Sequence, residues 1–441
     1  MENRIVNVGL IGFGTVGAGV AKILLEQADV IAQKTGIHLQ LKRVVDLDTV
    51  SERPVALPAG VLSDDLDALI QDESIEIGIE LIGGTGVAKD IQVRLLQAGK
   101  HVVTANKALL AEHGTELYRI ANEQNRCIAF EASCAGGIPI VSALRTGLAA
   151  NDIQALYGIV NGTCNYILSS MSDKGMCFDD ALVQAQDKGF AEADPTLDIN
   201  GGDSAHKLTI LGSLAFGYEL TLDDVYAEGI EGISIDDIRY GAEMGYCLKL
   251  LAIGQKDAEG RVSCRVHPAF IDKESSLARV DGSFNAISVL GHAVGEVMFY
   301  GRGAGMMPTA SAVVADIMDA ATGNAQRSFQ HVHMQPHDTI ADRIMSIDEV
   351  PSRFYIRVLA KDQPGVFSTY GKVLGEYGIS ISGALQHEGS GPNNSVPVVI
   401  ITHEIQERHM AAALEALEQL DVICGKPICF RIVDAPKDDL D

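Results

Sequence analysis

The chain has 441 residues, too long for one ordinary domain, and its hydrophobic content of 47% is enough to fill two or three cores. A net charge of −25 argues against nucleic acid as a partner, because phosphate contacts need a basic surface. No apolar run approaches the ~18 residues of a membrane span, MENRIVNVGL enters a strand with no room for a signal peptide, and eight cysteines without a CxxC pair fit reduced thiols in a cytoplasmic protein.

In chain order, Ile5–Ile11 reads as a buried strand, Val16–Gln33 as a helix and Leu39–Val45 as a second strand. Ile75–Leu81 and His101–Thr104 are further short apolar strands, separated by a helix around Ala88–Ala98. Such alternation predicts a parallel sheet covered on both faces, here over residues 1–132. From Ser133 to 304 the texture changes: glycine-rich turns, an acidic loop, and runs such as Gln154–Val160 and Val262–Phe270 predict a mixed sheet carrying helices, an α+β domain. Tyr300–Thr322 reads as a loop followed by a helix, and 305–345 is a candidate to return to the first domain. The polar stretch Gln326–Pro351 reads as a connector. Beyond it, Phe354–Leu359, Val366–Tyr377, Ile379–Gln386, Val396–His403, Met410–Leu420 and Ile428–Val433 fit the order βαββαβ, a compact domain over 353–435.

Gly12–Phe13–Gly14–Thr15–Val16–Gly17 matches G-x-G-x-x-G at a strand-to-helix junction. Gly12 permits the turn, Gly14 lets a pyrophosphate approach the backbone, and Gly17 lets helix pack on strand, so the first domain is Rossmann-type. The pyrophosphate is expected on the positive end of the helix dipole. Asp46, at the end of the second strand, stands where an acid accepts hydrogen bonds from a ribose 2′-OH and repels a 2′-phosphate. This predicts a preference for NAD(H), with NADP(H) also open; Arg43 reaches a phosphate only if it faces the sheet edge.

The stretch Gly189–Leu208 holds the densest chemistry. Asp203 and Lys207 are i and i+4 on one helical face, beside a loop carrying Glu192, Asp194 and Asp198. An exposed ion pair of this kind contributes only ~0.3–0.5 kcal/mol. The helix, however, continues as the apolar LTILGSLAF, which places the lysine at the mouth of a buried helix. His206 lies about 100° away around that helix and reads as an ordinary histidine.

This stretch, with Thr104–Lys107, Glu131–Pro139, Asn161–Leu168 and Tyr300–Gly305, resembles homoserine dehydrogenase over nearly all of the first 320 residues. The resemblance implies reversible, nicotinamide-dependent interconversion of L-aspartate 4-semialdehyde and L-homoserine. It implies that Lys207 protonates the carbonyl oxygen, Asp203 orients substrate and lysine, Glu192 binds the amino group with Asp198 nearby, and Lys107 assists proton delivery or carboxylate binding. Thr104, Lys107 and Gly303 would join the glycine turn in holding cofactor. The chemistry agrees, since an alkoxide needs a proton donor and an ammonium needs a carboxylate. The resemblance further implies a monovalent cation, sodium, held by Glu131 and the carbonyls of Cys134, Gly136 and Ile138; hard oxygens suit such an ion.

Asp362–Gln363–Pro364–Gly365–Val366 and Gly378–Ser382 resemble the ACT domain. Such modules pair across subunits and bind amino acids, which implies a homodimer or homotetramer and L-threonine as effector near Asp362, Pro364, Gly365 and Val366. Two other readings compete. An aspartate-semialdehyde dehydrogenase needs a Cys nucleophile beside a His base, and no such pair is evident. A non-enzymatic sensor has no need of Glu192, Asp203 and Lys207. No kinase domain is expected ahead of the first strand.

Overall fold

Six strands form the first sheet: β1 (Arg4–Ile11), β2 (Ile37–Val45), β3 (Leu62–Ser63), β4 (Ile75–Glu80), β5 (His101–Thr104) and β6 (Ile128–Ala129). The computed structural model describes residues 4–331, 343–387 and 395–434. All six strands pair in parallel, in the order β3-β2-β1-β4-β5-β6. Val6, Val8 and Leu10 are buried, as are Ile75, Ile77 and Ile79, because helices cover both faces. Those helices are α1 (Thr15–Glu26), α2 (Ala28–Thr35), α3 (Leu66–Gln71), α4 (Gly86–Gln97) and α5 (Lys107–Glu123). The strand order reverses direction beside β1, which opens a crevice at the carboxyl ends of β1 and β4.

Val16–Gln33 is not a single helix: it breaks at Gln27, whose φ of −115° and ψ of 16° leave the helical region. The break redirects α2 so that Ile31 and Ala32 stay buried against the core.

The central region contains α6 (Ile140–Ser142), β7 (Ile153–Ile159), α7 (Gly162–Lys174), α8 (Phe178–Asp187), α9 (Thr196–Ile199), α10 (Gly202–Phe216), β8 (Val225–Ala227), α11 (Ile235–Glu243), β9 (Tyr246–Lys256), β10 (Val262–Asp272), β11 (Phe284–Gly291) and β12 (Gly295–Arg302). Tyr300–Arg302, expected in a loop, completes β12 through antiparallel pairing with Phe284–Ala286. α12 (Met306–Thr322) then returns to the first domain and packs along α1 so closely that a Cβ on Gly19 would lie 2.9 Å from the Ala310 Cβ. It continues into α13 (Asn324–His331). Within the expected connector, 332–342 lies outside the described residues.

The last region holds β13 (Pro351–Lys361), α14 (Val366–Glu376), β14 (Ile381–Gln386), β15 (Ser395–Thr402), β16 (Ile405–Gln406), α15 (Glu407–Glu418) and β17 (Ile428–Val433). Phe354, Ile356, Leu374, Met410 and Leu417 give it a core of its own. Its sheet is nevertheless continuous with the central one, in the order β12-β11-β7-β9-β10-β17-β13-β15-β14. The junction is the parallel pairing of Ala269–Ile271 with Arg431–Val433.

Candidate active site

The glycine turn has the geometry its three glycines require. Gly12 has φ +96°, and a Cβ there would meet the Leu81 backbone at 2.8 Å. A Cβ on Gly17 would fall 2.1 Å from the Gly12 carbonyl oxygen, whereas Gly14 has nothing within 4 Å. Gly14 also N-caps α1, which has neither a side-chain cap nor an acid in its first turn. The open N–H groups of Thr15, Val16 and Gly17 therefore suit an anion. The Asp46 carboxylate accepts from the backbone N–H of Phe13 at 2.5 Å and of Asp48 at 2.9 Å. That braces the turn against β2 and leaves each oxygen a lone pair. Arg43 is directed to Asp72, at 3.1 Å, rather than to the crevice.

Glu80, which the sequence reading did not single out, ends β4 fully buried. It accepts from Gln92 at 2.8 Å, from Thr104 at 2.9 Å and from the backbone of Ile82 at 2.9 Å. It thereby joins the loops that follow β4 and β5. Thr104 is itself fully buried with its hydroxyl committed to Glu80, so it supports the cavity from beneath, while Ala105 and Lys107 line it. An acid at the end of β4, after the alternating apolar positions Ile75, Ile77 and Ile79, was the available signal.

Beside the crevice, a cavity of about 650 Å³ is lined by both regions of the molecule. Lys107, Asp203, Lys207, Asp198, Glu192, Asn285 and Gly303 all face it. Asp203 lies between the two lysines: Lys207 Nζ is 2.7 Å from Oδ2 and Lys107 Nζ is 2.5 Å from Oδ1. Lys207 also donates to the Val160 carbonyl at 2.6 Å, which pins it to the end of β7. Burial alone would raise the Asp203 pKa, but the two ammonium groups override it and hold the carboxyl well below the usual range. Burial likewise works to lower Lys107, and Asp203 reverses this, so the Lys107 pKa is raised. Glu192 is exposed at the rim.

Asn161, the first residue of the family-like stretch Asn161–Leu168, also lines the cavity. It N-caps α7, accepting from the Cys164 N–H at 2.8 Å, and its amide donates to Asp198 at 2.8 Å and to Asp203 at 2.9 Å. An asparagine directly before a helical run is an N-cap signal, but nothing in the sequence pairs it with acids about 40 residues on.

The turn after β6 abuts the same cavity. Glu131 is buried, and its two oxygens accept the Val141 and Ser142 N–H groups, each at 2.8 Å. Burial still raises its pKa against those bonds, the situation of a carboxylate that a nearby cation would relieve. Ile138 O accepts from Ile140 N and keeps one lone pair. Ala135 and Gly136 are both left-handed, at φ +53° and +56°. A Cβ on Gly136 would meet the Gly303 carbonyl at 2.5 Å, so the turn and Gly303 are in close contact. Among the described residues no cluster of three or more His, Cys, Asp or Glu suits a metal, so an ion here depends on carbonyl oxygens. These residues fit that role. The Cys134 thiol is buried and pushed up to about 12, hence inert.

The His101 ring approaches Cys127 at 3.2 Å, away from the cavity. Burial pushes Cys127 up to about 12 and His101 down to about 4. That is the reverse of an activated thiolate pair. In the C-terminal region, Gly365, at φ +90°, N-caps α14 without a side-chain cap, and Asp362, Pro364 and Gly365 are exposed ahead of buried Val366. No helix among the described residues is long and apolar enough to cross a membrane.

Comparison with known proteins agrees across the whole chain. The family profile for homoserine dehydrogenase matches residues 139–318, the profile for its NAD-binding domain matches 12–131, and that for the ACT domain matches 354–422. The chain is 43% identical to the homoserine dehydrogenase of Neisseria gonorrhoeae, over 96% of this chain and 97% of that one. It is 41% identical to that of Pseudomonas aeruginosa, over 97% and 98%. Its fold superposes on a crystal structure of the Thiobacillus denitrificans homoserine dehydrogenase with a TM-score of 0.90 at 40% identity, covering 98% of this chain and 99% of the other. A hyperthermophilic archaeal homoserine dehydrogenase in complex with NADPH matches with a TM-score of 0.60 at 27% identity, over 72% of this chain and 98% of that one.

Proposed function

Because the chain belongs to the homoserine dehydrogenase family, we propose that the Lys107–Asp203–Lys207 cavity is where L-aspartate 4-semialdehyde and L-homoserine are interconverted, and that Lys207 is the proton donor. A nicotinamide dinucleotide bound along the glycine turn supplies the hydride. The observation that carries the assignment is the donor count of Lys207. Two of its three N–H groups are used by Val160 and Asp203, which leaves one for a carbonyl oxygen in the cavity. Asp203 holds that lysine in place and balances its charge. Lys107, kept charged by Asp203, suits the substrate carboxylate better than proton delivery. Glu192 at the rim and Asp198, oriented by Asn161, are the carboxylates available to the substrate ammonium.

The cofactor preference is for NAD(H): Asp46 presents negative charge at the end of β2, and Arg43 is committed to Asp72. Glu131 with the carbonyls of Cys134, Gly136 and Ile138 would hold a sodium ion that stiffens the wall beside Gly303. The ACT region would take L-threonine at the start of α14, across a homodimer or homotetramer contact. Eight free cysteines support a reducing, cytoplasmic setting for the enzyme.

NADH and NADPH oxidation with L-aspartate semialdehyde, with and without sodium and L-threonine, tests these points together. Lys207→Ala is expected to lower kcat by about 10²–10⁴-fold while NADH still binds. Turnover near wild type in that variant removes Lys207 as the acid, and a strong NADPH preference removes Asp46 as the selector.

A further inference from the structure

Asn285 lies second in β11, 1% exposed, on the wall of the active-site cavity. Its Oδ1 is buried and has no hydrogen-bond partner. Such an atom costs free energy in a folded protein unless something completes it. The backbone has been shaped around this side chain. A Cβ on Gly303 would collide with the Asn285 amide at 2.1 Å, and a Cβ on Gly162 would stand 3.6 Å from Oδ1. Gly303 thus packs directly on the carboxamide, while Gly162 is in ordinary contact with it. Gly303 leads through the Gly305 turn into α12, which packs along α1, the helix that starts at the dinucleotide turn. Val16, in the first turn of α1, lines the same cavity as Asn285 and Gly303, so Asn285 borders space continuous with the glycine turn.

We propose that Asn285 is a ligand-binding residue, and that its unpartnered Oδ1 accepts a hydrogen bond from the carboxamide N–H of the nicotinamide ring. The substrate offers an ammonium, for which the cavity already has carboxylates. The orphaned Oδ1 needs a donor, and the nicotinamide carboxamide offers its N–H. The pairing fixes the ring's rotation about its glycosidic bond and so selects the face presented to Lys207. This deepens the oxidoreductase reading and rests on it.

The test is calorimetric binding of NADH and of its 3-acetylpyridine analogue, in which a methyl replaces the amide nitrogen, to wild type and Asn285→Ala. The variant should bind NADH about tenfold more weakly, yet bind the analogue as well as wild type does, because the analogue lacks the N–H that Oδ1 would accept. The KM for aspartate semialdehyde should stay unchanged. Equal loss for both cofactors, or a shift confined to the substrate KM, overturns the proposal. Asn285→Ser opens a smaller cavity and must show the same cofactor pattern if Asn285→Ala does not fold. Wild-type protein binding neither dinucleotide would instead overturn the cofactor reading itself.

Discussion

Asp203 sets the charge of the site, since one buried carboxylate serves two ammonium groups. Its folded-state pKa is depressed, so its stabilising contribution is present above the ordinary carboxylate pKa and is lost only as pH falls through the depressed value. Acid loss of activity near pH 5 is therefore not expected from this residue. The alkaline side is different. Lys107 stays charged above its ordinary pKa because Asp203 outweighs the burial that would lower it. Asp203→Asn removes the anion and leaves the burial, so Lys107 should deprotonate at lower pH. The alkaline limb of kcat/KM for aspartate semialdehyde should then move toward neutrality, and a limb that does not move would separate Lys107 from substrate binding. The i, i+4 spacing of Asp203 and Lys207 was legible because helical geometry is local. The third member, Lys107, was legible only through family resemblance, and Asn161 was not legible as a site residue at all. Both reach the carboxylate across long sequence separations, which periodicity does not encode.

At the scale of the element, the strand–turn–helix unit separates two jobs that the motif writes as one. Gly17 is needed for packing and Gly14 for the ligand. Gly14→Ala places its methyl in open space, so the melting temperature should hold while the Kd for NADH weakens. Gly17→Ala drives a methyl into the Gly12 carbonyl, so the melting temperature should fall as well. Equal thermal losses would refute the division. The same unit shows what sequence carries for folds. β1, β4 and β5 were visible as short apolar runs because buried parallel strands must be apolar on both faces. α5 was passed over although Leu109, Leu110, Gly114, Leu117 and Ala121 mark its buried stripe, because as many charged residues are interleaved with them. The break at Gln27 was not legible, since both halves keep helical spacing and only packing against the core decides where the chain bends. The two-residue strands β3 and β6 are too short to leave a pattern.

On the scale of the whole molecule, the C-terminal βαββαβ order could be read from the sequence, but its attachment could not, because edge pairing and interfacial ion pairs join residues more than a hundred positions apart. α11 lies against the sheet face that α14 and α15 leave open. Its Asp237, 1% exposed, takes two bonds from Arg357, at 2.5 and 2.9 Å, and one from Tyr355 at 3.1 Å. A second tie runs from Arg431 on β17 to Glu407 at 2.7 Å and Glu228 at 2.8 Å. Glu228 begins a segment that presses on the acidic loop: Ile230 N donates to Ile199 O at 2.8 Å, and a Cβ on Gly229 would strike that same oxygen. Ile199 lies between Asp198 and Asp203. Contacts are thus continuous from the C-terminal sheet to the carboxylates of the cavity, the kind of physical link that coupling between sites requires. Asp237→Ala leaves a half-buried Arg357 without its partner, a loss expected to fall below the about 3–5 kcal/mol of a fully buried pair. Denaturant unfolding should register that loss, and any inhibition by L-threonine should weaken with it, because a loosened sheet transmits less of a ligand's preference to the acidic loop. If stability falls while inhibition keeps its full depth, the signal runs through the Arg431–Glu228 tie alone, and Arg431→Met is then the variant in which the response must disappear.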